Sequence, residues 1–148
     1  EAGTVLFSER FVKHDPPTSQ ELLSASKALI KMLHRTPKIP LESVVVGVAG
    51  TVTTLKAVEL QMDKYDHSSI HGAALTRNEI TRLGHLCNTM PSVERAKLKG
   101  LPPERADIIP MGITILDTIL TQLKQESIII SDRGLRWGLI YDWLEKNC

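Results

Sequence analysis

Apolar residues follow two different periods along the chain, and the change between them predicts strands that alternate with helices. Residues 44–46 and residues 128–130 are uninterrupted runs of β-branched side chains. Such runs favour strands that are buried on both faces of a sheet. Residues 4–12 are rich in strand-forming side chains, and residues 70–75 are apolar and extended in character. These two segments predict further strands.

Between the runs, apolar side chains recur every three or four residues, which is the spacing of amphipathic helices. Two of these segments begin with a capping box, Thr18 with Glu21 and Thr76 with Glu79. In a capping box the hydroxyl and the carboxylate satisfy N–H groups at the start of a helix. The sequence therefore predicts helices that begin after Thr18 and Thr76, and the second should end before Pro91.

The second half of the chain predicts three more helices. A short one covers residues 92–98, a long one opens at residues 105–107, and a last one follows Gly134. Gly112 falls inside the long helix, where glycine is unfavourable unless another element packs closely against it. The long helix should bury one apolar stripe, which consists of Ile109, Ile113, Leu116, Leu120 and Leu123.

The stretch from residue 43 to residue 60 predicts a strand, a glycine turn and a helix. Gly47 and Gly50 let the backbone bend, and Thr51, Thr53 and Thr54 place hydroxyls at the start of the helix. Unpaired N–H groups and the dipole at a helix N-terminus attract anions. The spacing is that of neither the P-loop nor the dinucleotide fingerprint. From the residues alone, an ordinary tight connection remains an open alternative to a phosphate site.

Composition narrows the class of protein. The chain has 148 residues, a formal net charge of +1 and 4% aromatic residues, so we expect one domain and no nucleic-acid partner. Cys87 and Cys148 form no CxxC pair or His/Cys cluster, which argues against a zinc site or a disulfide scaffold and favours a reducing cytoplasm. No apolar run approaches the roughly 20 residues of a membrane span, so we expect no membrane partner.

Several motifs occur in a specific order along almost the whole chain. They are GVAGTVTTLKAVEL at residues 47–60, YD at 65–66, IHG at 70–72, ER at 94–95 with KGL at 99–101, RADII at 105–109, and ISDRGLR at 130–136 followed by GL at 138–139. Together they resemble the exopolyphosphatase/guanosine pentaphosphate phosphohydrolase family, which is also called the Ppx/GppA family.

This resemblance implies an α/β fold of the superfamily that contains acetate and sugar kinases, heat-shock ATPases and actin, with two ribonuclease H-like lobes around a cleft. It also implies magnesium-dependent hydrolysis of the terminal phosphoanhydride of polyphosphate, or of the 5′ γ-phosphate of guanosine pentaphosphate. The chain resembles only the latter part of the second lobe. The first lobe with its catalytic glutamate and the DxGGGS phosphate loop are absent, so residues 1–148 are expected to form one truncated, inactive lobe.

The resemblance also implies a binding role for particular residues. The glycine-threonine turn is similar to the phosphate or nucleotide wall of the superfamily, and Arg105 matches an arginine near the cleft. An ion pair of Arg105 with Glu104 or Asp107 is the alternative for that arginine. No catalytic residue and no metal ligand is identified on this chain. The predicted phosphate or nucleotide-binding residues are Gly47, Gly50, Thr51, Thr53, Thr54 and Arg105.

Two hypotheses about function follow. In the first, the chain is a cytoplasmic fragment of a phosphohydrolase and binds polyphosphate, guanosine pentaphosphate or guanosine tetraphosphate. In the second, it is a non-catalytic module that binds phosphates or nucleotides, or that dimerises. A strand at residues 4–12 would leave an exposed sheet edge, and exposed edges pair between chains. We therefore expect a homodimer; the choice between the two substrates stays open.

Overall fold

The computed structural model describes residues 2–34, 39–40 and 42–147, and Cys148 lies outside these ranges. Within these ranges, three strands form one sheet, namely β1 (Val46–Val48), β2 (Ala74–Thr76) and β3 (Ser127–Ser131). Their order is β1-β3-β2, with β1 parallel and β2 antiparallel to the central β3. The carboxyl ends of β1 and β3 therefore lie at the same edge of the sheet, where open α/β sheets bind ligands.

Helices make up most of the rest of the described chain. They are α1 (Thr4–Phe11), α2 (Ser19–Leu33), α3 (Gly50–Glu59), α4 (His67–Ile70), α5 (Arg77–Thr89), α6 (Ser92–Arg95), α7 (Ile109–Leu123) and α8 (Leu135–Asn147), with a 3₁₀ turn at Pro103–Arg105. Both capping boxes are confirmed. Thr18 and Thr76 accept hydrogen bonds from Glu21 and Glu79, whose side chains accept in return from the N-cap backbone.

The core has two parts that meet at α7. The larger one lies between one face of the sheet and α3, α5 and α7, and it includes Leu55, Leu75 and Ile130, each 0% exposed. The smaller one joins α1, α2 and α7 around Phe7 and Met111. Burial of this much apolar surface is the main force that holds the helices onto the sheet.

The strand predicted at residues 4–12 is wrong, because this segment is helix α1. Phe7 and Phe11 are spaced by one helical turn, and their rings lie 5.2 Å apart between centroids. Phe7 is buried with Ala25, Leu29 and Met111. Contact with α2 and α7 thus outweighs the strand propensity of the individual residues. The sheet edge from which we expected dimerisation is not formed by this segment.

The prediction that the strands are buried on both faces is also wrong. Val44 and Val46 are 69% and 53% exposed, and Ile129 is 38% exposed. Ile128 and Ile130 on the opposite face are buried. The strands alternate because, in the described chain, helices pack on only one face of the sheet. Of residues 70–75, only the end is a strand, since α4 reaches Ile70 and β2 begins at Ala74.

The long helix is confirmed, but it begins at Ile109 rather than at residues 105–107. Arg105 ends the preceding 3₁₀ turn and is therefore free of the regular helix. The close approach expected at Gly112 is confirmed, since a Cβ there would lie 2.8 Å from Cγ2 of Thr51. The last predicted helix is present as α8, yet it buries no residue against the described chain.

Candidate functional site

The turn between β1 and α3 combines backbone strain with unpaired N–H groups. Ala49 adopts φ 76° and ψ −176°, a conformation that is nearly restricted to glycine. Ala49 is also the N-cap of α3 and provides no side-chain hydrogen bond to the helix. The first N–H groups of α3, which begins at Gly50, therefore lack the usual cap. Both features are typical of a turn that is shaped for a ligand.

The guanidinium of Arg105 lies directly over this turn. A Cβ atom at Gly50 would lie 2.1 Å from Nη1 and 2.4 Å from Cζ of Arg105, so only glycine leaves room for the guanidinium. Within the described part of the chain, the backbone of Arg105 is hydrogen-bonded to Pro102 and Ile108, but no hydrogen bond or ion pair involves its guanidinium. The alternative ion pair with Glu104 or Asp107 is therefore not formed. A partly buried cation without a partner is suited to binding an anion.

Arg105 and the turn line a cavity of about 660 Å³ at the carboxyl end of β1. Thr51 also lines it, with its hydroxyl 3.5 Å from that of Thr4. The predicted residues Gly50, Thr51 and Arg105 thus come together around one opening, although Arg105 is far from the other two in sequence. Apolar groups from α1 and from the start of α7 form the opposite wall.

Residues 1–147 match the Ppx/GppA phosphatase family. The chain belongs to this family. Exopolyphosphatase 2 of Mycobacterium tuberculosis is 31% identical over 144 residues, which are 93% of this chain and 45% of that protein. Guanosine-5'-triphosphate,3'-diphosphate pyrophosphatase of Aeromonas salmonicida is 31% identical over 102 residues, which are 69% of this chain and 19% of that protein.

A solved structure of the Ppx/GppA phosphatase of Aquifex aeolicus superimposes with a TM-score of 0.89 at 35% identity. The match covers 95% of this chain and 46% of the Aquifex chain. The expected α/β fold of the Ppx/GppA family is confirmed. The chain spans less than half the length of the first relatives that it matches.

The other three predicted residues of this Ppx/GppA chain lie beneath the turn rather than in the cavity. A Cβ at Gly47 would lie 2.7 Å from Cδ1 of Ile128, so this glycine serves packing between β1 and β3. Thr53 and Thr54 are 8% and 4% exposed. The hydroxyl of Thr53 donates to the carbonyls of Ala49 and Gly50, at 3.4 and 3.3 Å. These residues support the turn, and their binding role stays a prediction.

A group of polar residues on the neighbouring turn comes from the motifs at residues 65–66 and 130–136, which the sequence did not predict to meet. Asp132, just after β3, contacts Nδ1 of His67 and the hydroxyl of Tyr65. Burial raises the pKa of Tyr65, and the hydrogen bond and charge of Asp132 raise it further, whereas a hydrogen bond with Thr53 opposes the shift. Tyr65 thus connects the two turns. Tyr65 and His67 are more than 60 residues from Asp132 in the sequence, so no periodic pattern could have predicted that they lie together.

The resemblance to the Ppx/GppA family implies magnesium, for which carboxylate side chains are the usual protein ligands. In the described ranges, no three His, Cys, Asp or Glu side chains approach closely enough to hold a metal ion together. In the same ranges, no helix has the length and apolar character needed to cross a membrane.

Proposed function

We propose that this chain forms one wall of the active site of a phosphohydrolase. The substrate is a terminal phosphoanhydride, either of inorganic polyphosphate or of guanosine pentaphosphate. The observation that carries the proposal is the guanidinium of Arg105, which lies unpaired over Gly50 in an open cavity. Names of the relatives support both substrates, since one relative is an exopolyphosphatase and another a guanosine-5'-triphosphate,3'-diphosphate pyrophosphatase.

The residues of this wall bind and orient phosphate. Transfer of a phosphoryl group to water depends on positioning and on charges aimed at the phosphoryl oxygens. Arg105 supplies such a charge, and the uncapped N–H groups at Gly50 and Thr51 supply further donors. Magnesium, which we propose for the whole enzyme, would neutralise the phosphate oxygens. Its ligands must come largely from phosphates and from the other half of the cleft.

We propose that the half of the active site that orients the attacking water lies outside this chain. The uncovered face of the sheet supports this division, because Val44, Val46 and Val48 are 69%, 53% and 50% exposed. Such a row of apolar side chains is normally covered by another layer. We therefore propose that residues 1–148 are the latter part of the second lobe of a longer cytoplasmic protein, and that the upstream part covers this face.

Calorimetric titration of the chain with polyphosphate and with guanosine tetraphosphate tests the binding role. We expect at least one of the two ligands to bind. The substitution Arg105→Gln should weaken that binding about tenfold, because it removes a charge-assisted hydrogen bond. Arg82→Gln is a matched control, because Arg82 is an exposed arginine on α5 that pairs with Glu59. Equal affinities of wild type and Arg105→Gln would refute the role of Arg105.

Release of phosphate tests the catalytic role. A longer protein that includes the upstream half should release phosphate in the presence of magnesium, whereas the 148-residue chain should release none. Turnover by the chain alone would show that the division between the halves is wrong. Binding by the chain without turnover in the longer protein would instead favour a non-catalytic phosphate or nucleotide-binding module.

A further inference from the structure

A second cavity, of about 570 Å³, opens beside the turn that follows β3. Its lining includes His67, His71, Asp132, Arg133, Arg136 and Trp137. Val48 and Ser131 are paired in the parallel register of β1 and β3, so the turns after them begin side by side. A Cβ at Gly134 would lie 3.9 Å from Cγ1 of Val48. This cavity, the β3 cavity, is thus adjacent to the Arg105 cavity and shares no lining residue with it.

The side chains of the β3 cavity carry an excess of positive charge. Asp132 is the acid of the cavity, and its carboxylate is already engaged by His67 and by the hydroxyl of Tyr65. Arg133 donates from Nη1 to the hydroxyl of Tyr141 at 2.7 Å and stacks on Trp137. In the described chain, neither Arg133 nor Arg136 forms an ion pair with a carboxylate.

A neutral donor completes the arrangement. The backbone N–H of Asp132 donates to Nδ1 of His71 at 3.3 Å. Because Nδ1 accepts this hydrogen bond, the proton of the neutral His71 ring resides on Nε2, which is free to donate to a ligand. The cavity therefore presents two guanidinium groups and one imidazole N–H, all of which are donors. Planar guanidinium groups are the preferred protein partners of phosphate oxygens.

We infer that the β3 cavity is a second phosphate-binding site, formed by Arg133, Arg136 and His71. It binds a phosphate group distant from the reacting one, while the terminal phosphate lies at Arg105. This assignment of the two phosphates to one substrate rests on the proposed function. The affinity of the cavity for phosphate does not rest on the proposed function, because it depends only on the hydrogen-bond donors that line the cavity. A substrate with several phosphates can thereby contact both turns.

The two tryptophans of the chain provide a direct measurement. Trp137 lines the β3 cavity, whereas Trp143 lies farther along α8 and does not; they are 46% and 61% exposed. Titration of the chain with inorganic phosphate and with tripolyphosphate, followed by the indole N–H signals in NMR, should shift the signal of Trp137 saturably. The signal of Trp143 should move little. Parallel, non-saturating shifts of both would overturn the assignment.

Three variants separate this site from the one at Arg105. Arg136→Gln should weaken the phosphate affinity reported by Trp137 about tenfold, as expected for loss of a charged hydrogen-bond donor. Lys146→Gln removes the same charge from the other end of α8 and should have no effect. Arg105→Gln should leave the response of Trp137 to inorganic phosphate unchanged, but should weaken the binding of tripolyphosphate.

Each result decides one of the two proposals. If Arg105→Gln weakens tripolyphosphate binding while Trp137 never responds, the β3 site is refuted and the proposed function stands. If Trp137 responds, and Arg136→Gln but not Arg105→Gln weakens both ligands, the β3 site stands and the role of Arg105 fails. Unchanged affinity in Arg136→Gln would refute the β3 site even if Trp137 shifts.

Discussion

Arg95 and Arg105 lie on either side of the same loop, but the guanidinium of Arg95 is buried and paired whereas that of Arg105 is unpaired among the described residues. Arg95 is 1% exposed, and its guanidinium donates to the carbonyls of Ala106, Cys87 and Met90 and to the carboxylate of Asp15. Arg105 has no such partner among the described residues and points its charge at an open cavity. We call these two places the Arg95 site and the Arg105 site.

The difference distinguishes a residue that stabilises the fold from one that is available to a ligand. Buried polar groups must be paired, because each unpaired group costs free energy. The Arg95 site meets this rule with four hydrogen bonds, which tie the loop after α1 to α5, to α6 and to the turn before α7. The Arg105 site departs from this rule in its unpaired guanidinium, and it also holds Ala49 in a strained backbone conformation. Such departures are characteristic of functional sites.

The largest effect is expected at the Arg95 site. Arg95→Met should lower the free energy of unfolding by about 3–5 kcal/mol, because the carbonyls of Ala106, Cys87 and Met90 lose the donor that Arg95 supplies, and Asp15 loses its charged partner. Denaturant unfolding followed by circular dichroism measures this change. Lys97→Met is the control, since the side chain of Lys97 is 68% exposed and pairs with the exposed Glu94. A loss below that of ordinary surface variants would show that the Arg95 site is not structural.

Acid should weaken the same site. Burial raises the pKa of Asp15, but hydrogen bonds from Ser92 and the charge and hydrogen bond of Arg95 outweigh burial and hold it below the ordinary 3.8. A carboxyl group whose pKa is lower in the folded than in the unfolded state stabilises the fold at pH values above its unfolded pKa. This stabilisation is lost as the pH falls through the folded-state pKa. Stability should therefore decrease below about pH 4, and less steeply in Asp15→Asn than in wild type.

A residual acid dependence is expected in Asp15→Asn. Glu21, whose pKa the hydrogen bond from the Thr18 N–H lowers to about 2, makes the same kind of contribution. Asp142→Asn, which removes an exposed carboxylate of α8, should leave the wild-type slope unchanged. Unfolding curves measured from neutral to acidic pH compare the three proteins. If stability fell equally steeply with pH in wild type and in Asp15→Asn, Asp15 would not contribute to the acid dependence.

Local rules in the sequence predicted the helices well. The capping boxes at Thr18 and Thr76 and the stop at Pro91 depend only on neighbouring residues, so the start of α2 and both ends of α5 were predicted close to their observed positions. Residues 4–11 failed because their state is decided by contacts with α2 and α7. The spacing of Phe7 and Phe11 was a helical signal that the abundance of strand-forming residues concealed.

The site was predicted only in part, for a similar reason. The glycine-threonine turn is a local feature and was recognised, but spacing did not reveal that Thr53 and Thr54 turn into the core while Thr51 remains at the cavity. The meeting of Arg105 with Gly50 is a contact across the fold, and only the resemblance to the Ppx/GppA family indicated it. Asp132 and Tyr65 belong to recognised motifs, but no local or periodic signal indicated that they would meet.

A smaller effect, of opposite sign, is expected at the strained turn. Ala49→Gly should raise the free energy of unfolding by about 1 kcal/mol, because relief of the positive φ exceeds the entropy that glycine adds to the unfolded chain. Ala28→Gly, in the regular helix α2, should instead lower it by about 1 kcal/mol. Thermal and denaturant unfolding of both variants checks the signs. A destabilised Ala49→Gly would mean that the turn is not strained.

The smallest change in stability, and the sharpest test of the Arg105 site, comes from Gly50→Ala. The new Cβ would overlap the guanidinium of Arg105, and the end of a flexible, unpaired side chain moves away at little cost. We expect a change in unfolding free energy within about 0.5 kcal/mol, but tripolyphosphate binding weakened about tenfold, as for loss of a charged donor.

Gly47→Ala is the matched control for Gly50→Ala, because it adds the same methyl group to the same strand-turn segment. Its Cβ would meet Ile128 and Val52 in the core, so overpacking should cost about 1–3 kcal/mol while folded molecules bind tripolyphosphate normally. The two glycines should therefore give opposite combinations of stability and affinity. If Gly50→Ala destabilised the fold and left affinity unchanged, the guanidinium of Arg105 would belong to the structure, as that of Arg95 does.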